Sequence, residues 1–89
     1  MNPNRAPLIL VGQIYLNQDP LVNEYLIVTN NNRGQISYEG VGFKGQSEDY
    51  TFIKRFGPVD PEDVDTPELQ ELLSFCPEGT EALVGYIAD

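Results

Sequence analysis

The sequence predicts a mainly β, α+β protein: a small antiparallel β-barrel with one short C-terminal helix. Three observations predict it. The first two-thirds of the chain alternates short β-favouring runs with Asn-, Gly- and Pro-rich breaks. Its 89 residues, 40% hydrophobic with five Tyr and four Phe, suffice for one core and not for two. A single amphipathic stretch with a helix opening falls late in the chain. Residues 1–7, with two prolines among polar neighbours, are expected to form a flexible N-terminal lead. Residues 8–89 are expected to form a single β-barrel domain whose last third is acidic and contains the helix.

The elements follow in order. Residues 8–16 are largely apolar, with Ile14, Tyr15 and Leu16 supplying β-favouring side chains, and Asn17-Gln18-Asp19-Pro20 breaks the run with turn chemistry. Tyr25-Leu26-Ile27-Val28-Thr29 is the clearest strand, too short for an independent helix. Asn30-Asn31-Asn32-Arg33-Gly34 tolerates positive φ and predicts a hairpin return. Gln35-Ile36-Ser37-Tyr38-Glu39 alternates polar and apolar, as a half-buried strand does. A turn-rich stretch over residues 40–49 leads into a predicted strand over residues 50–56. There Tyr50, Phe52, Lys54 and Phe56 share one face. Gly57-Pro58 ends it.

Thr66-Pro67-Glu68 opens the helix: Thr66 as a cap, Pro67 at the first helical position, Glu68 against the positive end of the dipole. Leu69, Leu72 and Leu73 give it one apolar stripe, and Pro77 and Gly79 stop it. Residues 83–87 read as a closing strand. The predicted order is β-β-β-β-α-β, a meander bending into a barrel. Its expected core includes Ile14, Leu26, Val28, Ile36, Tyr38, Phe52 and Ile53.

Charge is distributed unevenly. Residues 1–59 carry five acids and five bases, so the whole net charge of −9 arises in residues 60–89, which hold nine acids and no base. Such a block repels nucleic acid and anionic lipid and attracts cationic surfaces. One cysteine, Cys76, excludes an internal disulfide and fits a reducing, cytoplasmic setting. No segment approaches membrane-spanning length.

Each chemical motif has a structural competitor. Gly40-Val41-Gly42-Phe43-Lys44-Gly45 is a literal G-x-G-x-x-G, but the dinucleotide site needs a helix opening directly after it, and loop followed by strand is predicted there. A glycine-rich β-turn is expected instead. With no His in the chain, the common Ser-His and Cys-His pairs are excluded. Cys76 at a helix C-terminus meets the dipole end that disfavours a thiolate. Asp60-Pro61-Glu62-Asp63-Val64-Asp65 offers hard oxygen ligands without the glycine and distal Glu of a calcium loop, so no metal and no cofactor is expected.

The Val11-Gly12-Gln13-Ile14-Tyr15, Tyr25-Leu26-Ile27-Val28-Thr29, Gly34-Gln35-Ile36-Ser37-Tyr38 and Tyr50-Thr51-Phe52-Ile53 blocks resemble the strand order of small SH3-like barrels over about residues 11–56. The acidic, helix-containing segment after Val59 departs from that pattern. As a type, a small acidic protein without catalytic residues is similar to phage-encoded inhibitors of host or defence enzymes.

Two functions stay open at this stage. In the first, a non-enzymatic binding protein uses Asp60, Glu62, Asp63, Asp65, Glu68 and Glu71 to occupy a basic protein surface, such as that of a nucleic-acid-binding enzyme, without touching nucleic acid or membrane itself. In the second, Arg33, Lys44, Lys54 and Arg55 form a pocket for a small anion such as a nucleotide. Unpaired strand edges also make a homodimer reasonable.

Overall fold

Residues 8–76 are described by a computed structural model. The predicted lead over residues 1–7, the stop at Pro77 and Gly79, and the closing strand over residues 83–87 lie outside the described residues. Five strands form one antiparallel sheet: β1 (Ile14–Asn17), β2 (Tyr25–Asn32), β3 (Gln35–Gly40), β4 (Phe43–Glu48) and β5 (Phe56–Pro58), in the order β4-β3-β2-β1-β5. Helix α1 (Asp49–Arg55) separates β4 from β5. A 3₁₀ turn (Pro61–Asp63) and helix α2 (Thr66–Ser74) follow β5. The sheet is open among the described residues, because β4 and β5 end it and do not pair.

The hairpins follow local chemistry. Arg33 (φ 54°) and Gly34 (φ 90°) form a two-residue turn with both central residues left-handed, which matches the twist of β2 and β3. Val41-Gly42 joins β3 to β4, with the positive φ of 87° falling on Gly42 alone. The G-x-G-x-x-G is therefore a hairpin turn running into a strand. β2 extends through the Asn triplet to Asn32, with an irregularity between Val28 and Asn30 that shifts its register on β3.

Three sequence expectations are corrected here. Residues 8–13 are not strand: Gln13 N–H donates to Leu10 C=O at 3.1 Å and Gly12 takes φ 92°, folding the segment back so that β1 begins only at Ile14. Residues 40–49 are not mainly turn, because β4 occupies Phe43–Glu48. Gly45 in its centre lacks a side chain because the Tyr38 ring lies there; an added Cβ would sit 2.7 Å from the Tyr38 hydroxyl. Residues 50–56 are not a strand but α1 followed by the start of β5, so the described chain has two helices rather than one.

Helix α1 closes one face of the sheet. Phe52 and Phe56 enter a core with Ile9, Tyr15, Leu26, Val28 and Ile36, with Tyr38 half-buried beside them. Ile53, expected in the core, is exposed, because one residue further around a helix leaves the face that Phe52 occupies. The helix end is held by Gln18, whose N–H donates to Arg55 C=O at 2.8 Å and whose Nε2 donates to Ile53 C=O at 3.1 Å.

The opposite face of β1 and β2 is also buried. Ile14 and Ile27 pack with Val64 and Leu72 from the acidic segment, flanked by half-buried Tyr25, Val59 and Leu69. These two strands are thus covered on both sides, which explains the uninterrupted apolar run Leu26-Ile27-Val28. No helix among the described residues is long and apolar enough to cross a membrane.

Candidate functional site

The acidic segment is built as an apolar underside with a charged exterior. Its chain leaves β5 through Val59, whose N–H donates to Ile14 C=O at 3.0 Å. Asp60 then caps the 3₁₀ turn, its carboxylate accepting from Glu62 N–H at 3.2 Å. Pro61 is buried, and Val64 and Leu72 insert against Ile14 and Ile27. The cap position of α2 falls on Asp65 and not on Thr66, which is the first helical residue; Asp65 makes no side-chain capping bond. Pro67 lies in the first turn, as expected, and Glu68 complements the helix dipole there.

The remaining positions of this segment point outward. Glu62, Asp63, Asp65 and Glu71 are exposed, while Asp60 and Glu68 are half-buried. Glu68 and Glu71 are three apart on α2 and therefore neighbours on its surface. Over residues 60–76 no Lys or Arg interrupts these six carboxylates. They stand on a backbone fixed to the sheet at Val64 and Leu72. Among the described residues, no three Asp, Glu or Cys groups are arranged to hold a metal ion.

The four candidate cations do not converge. Arg33 occupies the β2–β3 turn, exposed. Lys44 lines an open cleft of about 540 Å³ with Thr29, Ser37, Glu39 and Gln46 on the β3–β4 surface. Lys54 and Arg55 line a different one of about 420 Å³ with Asn17, Gln18 and Asp19, and the two clefts share no residue. The Arg55 guanidinium also lies 5.1 Å from the centre of the Phe56 ring, a cation–π geometry. An anion in either cleft would meet a carboxylate as well as a cation, Glu39 in one and Asp19 in the other.

A further cleft escaped the sequence. Leu16, Pro20, Val22, Pro58 and Val59 line about 550 Å³ between the β1–β2 loop and β5. Leu21, at its margin in sequence, is 93% exposed. Its walls come from segments some forty residues apart, so no local motif signals it. Cys76, just past α2, is half-buried, and desolvation pushes its thiol above the ordinary range. Burial acts in the same direction as the helix dipole expected from sequence, against the thiolate.

No family model matches the chain, and no curated protein or solved structure matches it.

Proposed function

We propose that the protein is a non-enzymatic binding protein whose acidic segment occupies a basic surface on a protein partner. The observation that carries this is the two-sidedness of residues 60–72. Val64 and Leu72 are buried against the sheet and Pro61 is buried with them, whereas Glu62, Asp63, Asp65 and Glu71 are exposed with no base among them. A pre-ordered charged surface loses little conformational entropy on binding and steers a cationic partner into place. The phosphate-binding surface of a nucleic-acid-processing enzyme has the required sign, so the protein would act there as an inhibitor, of the kind phages direct against host or defence enzymes. We further read the sheet as an SH3-like barrel framework. Support comes from β5, which returns to β1 after a short helix, and from the irregular, extended β2.

The test compares the wild-type chain with a variant carrying Asn or Gln at the six acids, which reduces the net charge from −9 to −3. Both are used to capture proteins and small molecules from the native host at two salt concentrations. The expected result is a basic protein retained by the wild type at low salt and released by the variant. Capture that survives loss of all six acids but fails for the Lys44→Gln, Lys54→Gln, Arg55→Gln triple variant would replace this function with small-anion binding.

A further inference from the structure

The two edges of the described sheet are unlike. β5 is three residues long and ends in Pro58, both devices that discourage pairing, whereas β4 is six residues long and contains no proline. The direction of each β4 backbone group follows from the hairpin. A two-residue turn requires Gly40 and Phe43 to exchange both backbone hydrogen bonds, and alternation then assigns Tyr38–Gly45 and Ile36–Ser47 as the other bonded pairs. The N–H groups of Lys44, Gln46 and Glu48 and the C=O groups of Lys44 and Gln46 therefore point away from β3, along an edge unpaired among the described residues, while Glu48 C=O, at the cap position of α1, accepts from the helix and from the Ser47 hydroxyl at 3.2 Å. All three residues are exposed.

We propose that this edge binds β4 of a second copy of the chain, antiparallel, about a two-fold axis at Gln46. In that register Lys44 lies opposite Glu48 of the second copy, Gln46 opposite Gln46, and Glu48 opposite Lys44. All three outward residues are paired at once: the two Gln46 residues exchange two backbone hydrogen bonds, each Glu48 N–H donates to the facing Lys44 C=O, and opposite charges face each other twice. Gly45 and Ser47 occupy the intervening positions, and both are small. Centring the axis on Lys44 or on Glu48 instead opposes like charges, so the side chains select the register. The same register carries Val41 at the hairpin tip toward the start of α1 in the second copy, where Tyr50 lies; the two are 42% and 46% exposed. Two chains of net charge −9 repel, and the repulsion is weakest where the local charge is smallest. Residues 8–59 hold five acids and four bases, and residues 60–76 of the acidic segment pack at the β1–β2 side of the sheet, away from β4.

Sedimentation equilibrium of the full-length chain tests this. The wild type is expected to dimerise, Lys44→Glu and Glu48→Lys each to weaken the dimer about tenfold, and the charge-swapped double variant to restore it. Recovery in the double variant separates a pairing role from damage to folding. Gln46→Pro should abolish the dimer while preserving the monomer fold, because the N–H it removes points outward. A wild-type chain that stays monomeric, or single charge reversals that leave the dimer unchanged, overturns the proposal. So does slow amide exchange at Lys44, Gln46 and Glu48 in a monomer, since another part of the same chain would then cover the edge.

Discussion

Tyr15 and Phe52 meet edge to face, their ring centres 4.8 Å apart and their planes at 75°, and this contact joins β1 to α1 across the main core. Phe52 is fully buried and also touches Tyr38 and Phe56, at 5.6 and 4.9 Å between ring centres. The helix that ends beside Gln18 is thus held to the sheet through a four-ring cluster.

Phe52→Ala should cost about 3–5 kcal/mol, because it empties the centre of that cluster. Urea unfolding of the two chains measures it. For a domain of this size the loss approaches the whole stability, so the variant is expected to be substantially unfolded at 25 °C.

Tyr15→Phe probes a buried polar pair. The Tyr15 hydroxyl donates to Gln13 Oε1 at 2.7 Å, and Leu10 N–H donates to the same oxygen at 3.4 Å. Removing the hydroxyl takes the shorter of these two bonds from a buried carbonyl, and should cost about 1–2 kcal/mol. A double variant with Gln13→Leu should recover part of the loss, which equilibrium unfolding of all four chains would measure.

The β2–β3 turn offers substitutions of opposite sign. Gly34→Ala places a Cβ at φ 90° and 2.8 Å from Asp49 Oδ2, and should destabilise by about 1–2 kcal/mol. Arg33→Asn puts a residue more tolerant of φ 54° at the first turn position and should stabilise by about 0.5 kcal/mol. Thermal midpoints should move in opposite directions.

Cys76 gives a pH dependence with a definite sign. Burial raises its folded-state pKa, so above the ordinary thiol pKa the unfolded chain releases a proton that the folded chain keeps. Stability contributed by the neutral thiol is complete below the unfolded pKa and falls as pH rises through the folded one. Cys76→Ala should flatten the alkaline side of the stability profile. Alkylation of the folded wild type at neutral pH should be slower than that of the urea-unfolded chain.

The sixfold Asn/Gln variant should fold normally. Four of the six carboxylates are exposed, and the cap of the 3₁₀ turn survives the Asp60→Asn change because an amide oxygen also accepts from the backbone N–H of position 62. Relief of repulsion within an all-acidic segment offsets loss of the Glu68–dipole interaction. Its stability in urea unfolding is expected within about 1 kcal/mol of the wild type.

By itself the sequence determined the elements whose chemistry is local. Tyr25-Leu26-Ile27-Val28 admits little but a buried strand, Arg33-Gly34 a tight return, and Thr66-Pro67-Glu68 with its leucines an amphipathic helix; the acidic exterior of that helix was equally legible. Only the tertiary structure decided the region between Gly40 and Phe56. Phe52 and Phe56 lie four residues apart, a spacing that shares a face in a strand and in a helix alike. What separates the two is the partner surface: Tyr15, Tyr38 and Ile36 present a broad core that the helix fills with Phe52 and the first residue of β5 with Phe56. Likewise Gly45 reads as a turn residue until Tyr38, seven positions earlier, is brought across it by the hairpin. The β4 edge left unpaired among the described residues, the separation of Lys44 from Lys54 and Arg55, and the cleft between the β1–β2 loop and β5 have the same origin. Each depends on which strand lies next to which, and that order is set by burying both faces of β1 and β2, not by the residues of the sites themselves.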